Sequence, residues 1–358
     1  MSNIVIEKIV LADGSLNSDL VEKAIGAWPD AKIFNESELE WPTESESIED
    51  LIGIGKKTLY LAPNKGKFVR KCPGTMGLVC CNYWVIDLVE GCVIDCSYCI
   101  LQDYLTDKRI RLATNIDELA RQVDFELSQC NGPARFGTGE LSDSLMFEPE
   151  LGLGSMLIEM FRHKPMASLE LKTKTGFIDS ILELNPAKNI VLGWSLNTPQ
   201  VAMTEEMGSA SIEQRIKAAS EAARAGWKVA FHFDPLVVHD DWENGYKEVV
   251  EQLFSNVPRE KVAWISLGAF RYQSSLKPII RSRFSGSKVL NQEFVLCPDN
   301  KYRYVKPVRR MLFKAVLEHI RSISPSTPAY LCMEGIEMWR YVLGSSPAGQ
   351  KMLCEIFS

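Results

Sequence analysis

From residue 82 onward, short apolar bursts alternate with longer stretches whose apolar residues recur at helical spacing. The bursts at 83–88, 134–137, 168–172, 190–195, 227–233 and 262–267 are rich in β-branched and aromatic residues and predict strands. The stretches 116–128, 153–162, 177–184, 211–225 and 245–254 predict helices. The fourth is the clearest. Ser211 and Gln214 form a capping-box pattern, Ile212, Ile216, Ala219 and Ala223 share one face, and Gly226 follows as a stop. Strands alternating with helices imply βα units on a parallel sheet, and six units fit a partial (βα)6 TIM-like barrel better than a closed eight-strand one.

Residues 3–35 read as a small βαβ unit, with a strand at 4–10, a helix capped by Asn17 or Ser18 and ending near Trp28, and a strand at 31–34. Residues 35–50 are acidic and hold a Pro, the pattern of a surface connector. The expected organisation is an N-terminal βαβ unit and connector (1–75), the barrel (76–275) and a basic, helical C-terminal extension packed on it (276–358).

Composition narrows the class. With 46% hydrophobic and 24% charged residues, the 358-residue chain is neither disordered nor low-complexity. No apolar run approaches the ~20 residues that span a bilayer, and no signal peptide is visible at the start. The expectation is a cytoplasmic protein with no membrane partner. Net charge is −6, yet residues 1–50 carry 12 acids against 3 bases, so the remainder is net basic. Residues 55–71 hold six Lys/Arg and no acid, and 301–321 hold seven with one acid. Such stretches suit either a phosphate backbone or an ordinary solvated face.

Ten cysteines are too few for a disulfide scaffold of this length. Three of them crowd the loop after the first barrel strand, Gly91-Cys92-Val93-Ile94-Asp95-Cys96-Ser97-Tyr98-Cys99, where chemistry is expected in such sheets. Soft thiolates at this spacing suit an iron–sulfur cluster. Three ligands on a [4Fe–4S] cluster leave one iron open to bind and reduce a second group. Zinc completed by a distant fourth ligand, or unligated thiols, are the alternatives. Cys72, Cys80 and Cys81, with Cys297 or Cys332, suit an auxiliary cluster less well than buried thiols near the barrel entrance. Cys130 and Cys354 read as structural.

The C-x3-C-x2-C motif after the first strand of a six-unit barrel resembles the radical S-adenosylmethionine (SAM) superfamily. That resemblance implies SAM chelating the open iron, reductive cleavage to a 5′-deoxyadenosyl radical, and hydrogen abstraction from a substrate. Gly139-Glu140 looks like the superfamily's Gly-Gly-Glu element, and Ser142, Lys174, Ser195, Asn197 and Asp234 fall at strand ends where SAM contacts are expected.

Within the superfamily the chain resembles the spore photoproduct lyase family, through stretches 55–62, 91–105, 135–145, 172–175, 193–198, 225–234, 239–246 and 301–304. The resemblance implies a carbon–carbon lyase that repairs a thymine-dimer-type lesion in ultraviolet-damaged DNA. It implies an electron donor such as flavodoxin or ferredoxin, a relay role for Tyr98, and lesion contacts from Arg271, Lys301, Tyr302, Arg303 and Tyr304. There are two departures. Glu140 stands where the lyases carry a hydrogen-donor cysteine, and Ile100 stands where they carry a second relay tyrosine. With no thiol at 140, hydrogen is expected to return to the substrate from 5′-deoxyadenosine. The same departures leave open radical chemistry on another base, a peptide or a metabolite.

Overall fold

A computed structural model describes residues 4–15, 18–39, 41, 46–75, 77–81 and 83–345. Six parallel strands follow one another across its main sheet in sequence order: Tyr83–Ile86, Ala134–Gly137, Ala167–Thr173, Ile190–Ser195, Lys228–Leu236 and Val262–Ala269. This is the expected partial barrel. Each strand sits within a few residues of its predicted span, because burial on both faces leaves an unbroken apolar signal. Every residue of Ile190–Ser195 is buried.

Two short strands extend the sheet beyond the prediction. Ala329–Leu331 adds a parallel strand beside Val262–Ala269, and Val69–Lys71 pairs antiparallel with Tyr83–Ile86 at the other edge. The helix Ile212–Arg224 carries the predicted capping box: the Ser211 side chain accepts from the Gln214 amide, and Gln214 Oε1 accepts from the Ser211 amide at 2.9 Å. Gly226 follows with φ +108°, a conformation that favours glycine.

The N-terminal unit forms as expected, with Lys8–Leu11 pairing parallel to Lys32–Asn35 and the helix Asp19–Ala27 capped by Ser18; Asn17, the other cap candidate, lies outside the described residues. The unit is not self-contained. Its sheet continues through Thr58–Ala62 and Ile110–Ala113 to Val89–Glu90, so two of its strands come from beyond residue 75. Trp28 meets Phe147 edge-on at 5.4 Å, which joins this layer to the barrel core. On the barrel's other side, Arg271–Gln273, Lys301–Tyr304 and Phe294–Leu296 form a small antiparallel sheet. The helix Lys306–Ile323 packs against the helix Trp242–Asn256 and the strand Val262–Ala269, with Leu312, Phe313 and Val316 buried. No helix among the described residues is long and apolar enough to cross a membrane.

Candidate active site

The loops at the C-terminal ends of the barrel strands enclose one cavity of about 470 Å³, within the usual range of ligand pockets. Cys92, Cys96 and Cys99 all line it. Gly91 opens their loop at φ +101°, where a Cβ would stand 3.2 Å from the Ile110 backbone. The loop is then fixed through its carbonyls rather than its sulfurs. Lys56 Nζ donates to Cys92 O and Ile94 O, each at 2.8 Å, and Gln102 Nε2 donates to Cys96 O and Ser97 O at 3.1 and 3.0 Å. Arg283 holds Asp95 in a two-pronged pair and also donates to Gln102 Oε1. Three thiols are thus presented to one space with backbone partners already satisfied.

This donor set fits an iron–sulfur cluster. Burial pushes the Cys92 and Cys96 thiols up to about 12, and carboxylates nearby (Asp143 for Cys92, Glu206 for Cys96) push the same way. A bound cation is what turns such thiols into thiolate ligands. Among the described residues no three His, Cys, Asp or Glu side chains are placed to hold a single metal ion. Zinc needs its ligands converging on one point, with each sulfur about 2.3 Å away, whereas a four-iron cluster is gripped at separate corners.

Beside the cluster loop lies a buried charged network. Lys174 Nζ donates to Tyr98 OH at 2.7 Å and to Glu206 at 3.1 Å, and stands 3.7 Å from Cys96 Sγ. Tyr98 OH donates to Glu206, and Arg215 Nη2 donates to the same carboxylate at 2.6 Å. Burial would raise Glu206, but the Lys174 ammonium and Arg215 guanidinium outweigh it and hold the carboxyl at about 2. Tyr98 is pushed well above its ordinary value by burial and the adjacent carboxylate, so it remains a phenol whose proton points at Glu206.

The second-strand loop passes the third strand closely. A Cβ on Gly139 would lie 2.9 Å from two atoms of the Lys172 side chain, so this segment presents bare backbone to the cavity. Asp143 anchors it, accepting from Thr173 Oγ1 at 2.7 Å and from the Lys174 amide at 2.6 Å. Ser142 and Ser195 also line the cavity, which suits a polar cofactor lying across these strand ends. Glu140 lines it too, but its carboxylate is 3.0 Å from Arg70. Its charge acts on Cys72, while Cys92 feels Asp143 and Lys56. Glu140 is therefore paired with Arg70 on the wall shared with Cys72.

At the cavity floor Glu170, 2% exposed, accepts from Arg135, from His232 Nε2 at 2.6 Å and from Trp264 Nε1 at 3.2 Å. Burial lowers His232 below its ordinary value despite Glu170, and its Nδ1 meets Ser266 Oγ at 2.7 Å. The lone strand histidine is thus a satisfied structural residue. At the mouth Arg271 grips Asp234 at 2.9 and 3.3 Å. Lys172 and Lys301 line the same wall.

Four residues singled out in the sequence do not line the cavity. Asn197 is buried between Tyr246 OH and Pro235 O, at 2.7 and 2.9 Å. Arg303 is buried against Asp299, donating from Nη2 at 2.7 Å. Tyr304 is fully buried, and its hydroxyl accepts from the Val238 amide at 3.2 Å. Tyr302 stacks on Tyr272 at 5.3 Å, and only Tyr272 reaches the lining. Residues that sequence reasoning passed over are Glu206 and Arg215 beside the cluster and Arg135 and Glu170 on the floor. The last two were visible as charges inside otherwise apolar strands.

The remaining thiols divide by place. Cys72, Cys81 and Cys332 line the cavity, whereas Cys297 does not. Cys130 donates to Glu126 O at 3.3 Å at a helix end, and Cys354 lies outside the described residues.

Known proteins share this sequence pattern and fold. The chain is 26% identical over 254 residues to the spore photoproduct lyase of Bacillus subtilis (strain 168), covering 68% of this chain and 74% of that one. It is 24% identical over 237 residues to the spore photoproduct lyase of Clostridium acetobutylicum, covering 66% and 68%. A solved spore photoproduct lyase complexed with dinucleoside spore photoproduct superposes with a TM-score of 0.79 at 20% identity, over 92% of this chain and 99% of that one. A mutant of that enzyme with bound AdoMet and dinucleoside spore photoproduct gives 0.79, also at 20% identity, over 92% and 98%. The family model described as spore photoproduct lyase matches residues 78–317. That span holds the three cluster thiols, all six barrel strands and the cations of the cavity mouth, and on it the chain belongs to the spore photoproduct lyase family of radical SAM enzymes.

Proposed function

We propose that this protein repairs a thymine-derived photolesion in DNA by radical SAM chemistry. The observation that carries the reading is one cavity lined at one corner by Cys92, Cys96 and Cys99 and at its mouth by Lys172, Arg271 and Lys301. The names of its relatives give the lesion class. When bound, the [4Fe–4S] cluster and SAM supply one-electron cleavage of SAM and abstraction of a substrate hydrogen.

The chain's own residues do the rest. Cys92, Cys96 and Cys99 hold the cluster, and the Lys174 ammonium balances the charge gathered at Cys96. Glu206 fixes that ammonium and accepts a hydrogen bond from the Tyr98 hydroxyl, so the relay tyrosine is anchored rather than free to rotate. Bare backbone at Gly139, with Ser142 and Ser195, borders the SAM site, and Asp143 keeps that loop against the third strand. Asp234 orients the Arg271 guanidinium, and Lys172 and Lys301 add positive charge where a lesion's phosphate enters. Tyr272, buried and stacked on both Phe270 and Tyr302, stiffens the wall beside Arg271. Electrons arrive from a low-potential carrier such as flavodoxin or ferredoxin.

Glu140 and Ile100 favour a second reading, the same chemistry on another base, a peptide or a metabolite, since both replace residues of the lyase relay. Lesion-stimulated SAM cleavage separates the two. An oligonucleotide containing spore photoproduct, added to anaerobically reconstituted protein with dithionite, raises 5′-deoxyadenosine output above that with the undamaged oligonucleotide. Equal output with both sends the assignment to the second reading.

A further inference from the structure

Outside the cavity the chain carries a basic strap. Residues 276–288, the helix Leu276–Arg283 and the five residues after it, hold four bases and no acid, and none of them lines the cavity. Three ties bind the strap to the cluster loop and its surroundings. Ser275 Oγ, just ahead of it, donates to Asp103 at 2.6 Å, and Arg283 grips Asp95 while donating to Gln102 Oε1. At the far end Glu205 accepts from Ser287 Oγ at 2.7 Å and from the Lys288 amide at 3.1 Å, and the same carboxylate accepts from Ser97. The strap therefore lies against the side of the 92–99 loop that the cavity does not use. Arg283 is committed to Asp95, but Arg281 and Lys288 are exposed and form no ion pair among the described residues. Beside them Met207, 43% exposed, stands across from Asp95 in the short ladder that pairs Glu206 with Cys96. Paired strands run about 4.8 Å apart, so an exposed apolar side chain sits one ladder step from a cluster ligand.

We propose that this strap, with Met207 beside it, is the docking surface for an acidic one-electron carrier protein that reduces the cluster. The inference rests on the cluster site of the reading above and not on the identity of the lesion. One electron passes at each encounter: the carrier is oxidised by one, the cluster is reduced by one, and no bond is made or broken. Substrate and SAM occupy the cavity during turnover, so the electron has to enter through the wall that carries the thiols. Arg281 and Lys288 attract and orient a partner of negative charge, and Met207, with Met203 at 75% exposure on the helix before it, gives adaptable apolar contact. The acids around the strap do not cancel this charge. Asp95 is matched by Arg283 and by Lys56 at 3.4 Å, and Glu205 is buried, which leaves Asp103 at one end and Glu49 facing Ser282 and Arg283. A nucleic-acid backbone also seeks bases, but the ties of the strap lead to the cluster loop, whereas Lys172, Arg271 and Lys301 stand at the cavity.

Two measurements test this, with flavodoxin, an acidic flavoprotein, as the probe. The first needs no turnover. Cluster-reconstituted protein is acetylated with an N-hydroxysuccinimide ester, with and without oxidised flavodoxin, and each lysine is followed by peptide mass spectrometry. With flavodoxin at ten times Kd, acetylation of Lys288 slows about tenfold, the factor set by the fraction of free sites, while Lys217 and Lys247 on the barrel helices keep their rates. Flavodoxin that binds by calorimetry without protecting Lys288 overturns the proposal, as does no binding at low salt, or protection of Lys288 by an oligonucleotide and not by flavodoxin. The second measurement compares reductants. Arg281→Glu combined with Lys288→Glu cuts flavodoxin-supported SAM cleavage about tenfold, while cleavage supported by dithionite, which needs no docking, stays at the wild-type level. No loss with flavodoxin, or equal loss with both reductants, overturns the proposal and leaves the repair reading standing. Wild-type protein that takes up no iron and sulfide fails the cluster reading itself.

Discussion

Replacing Glu170 with Gln tests whether the cavity floor is held by charge or by shape. In the wild type one carboxylate accepts from Arg135, His232 and Trp264, and both Arg135 and Glu170 are nearly sealed from solvent, with side chains 5% and 2% exposed. Gln is isosteric and keeps one oxygen acceptor, so packing is preserved, but its NH2 turns a donor toward donors. The Arg135 guanidinium then stays buried without a counter-charge. Removing one partner of a buried ion pair costs about 3–5 kcal/mol, against under about 1 kcal/mol for an exposed pair. Arg135 also lies over the Trp264 ring at 4.5 Å, a contact the substitution keeps, so the low end of that range is expected. Urea unfolding of Glu170→Gln beside wild type measures the loss. Burial raises Glu170, but Arg135 and His232 outweigh it and hold the carboxyl far below its ordinary value of 4.5. A depressed carboxylate contributes stability that is fully present above its unfolded value and is lost as pH falls toward the folded one. The gap between wild type and Glu170→Gln therefore narrows as pH drops below 4.5. A loss under about 1 kcal/mol at pH 7, or a gap that does not change with acid, refutes the reasoning.

Ala at Cys92, Cys96 or Cys99 removes a cluster ligand; each variant is expected to lose iron and sulfide on reconstitution and to cleave no SAM, and full iron content in any one of them contradicts the cluster site. Glu140→Ala is expected to leave SAM affinity within a few-fold, because the carboxylate serves Arg70, which keeps its second partner Asp87; a loss of tenfold or more by calorimetry, the scale of one charge-assisted hydrogen bond, returns Glu140 to the SAM site. Affinity for lesion-containing single strands is expected to fall with salt. If Lys172, Arg271 and Lys301 each neutralise a phosphate, the log–log slope is about −2, at ~0.7 per contact, and a flat salt dependence argues against nucleic acid at this mouth.

The barrel was legible because its strands are buried on both faces and its helices on one, which are the two strongest periodic signals a chain carries. The capping box at Ser211 and Gln214 marked a helix start to the residue. Short edge strands such as Val69–Lys71 and Ala329–Leu331 carry too few residues for a period to register. The cluster thiols were readable because their ligand set is local in sequence. Pairings across the fold were not. Glu206 and Arg215 sit on separate elements, and nothing in a helix's apolar stripe says that Arg215 turns inward to a carboxylate. In Lys301–Tyr304 the basic–aromatic alternation suggested one recognition surface, yet Arg303 had a partner four residues back in Asp299, leaving Lys301 at the cavity. Asn197 was misplaced for a similar reason: a polar residue after a strand end looks the same whether it faces the ligand or ties Tyr246 to the loop.

The central claim is repair, and one assay reaches it directly. Anaerobically reconstituted protein, its cluster verified by iron content and spectrum, is given SAM, dithionite and an oligonucleotide containing spore photoproduct, and restored thymine is quantified with 5′-deoxyadenosine. The account predicts restored thymine that requires SAM and disappears in Cys96→Ala. SAM cleavage with the lesion left intact would contradict it.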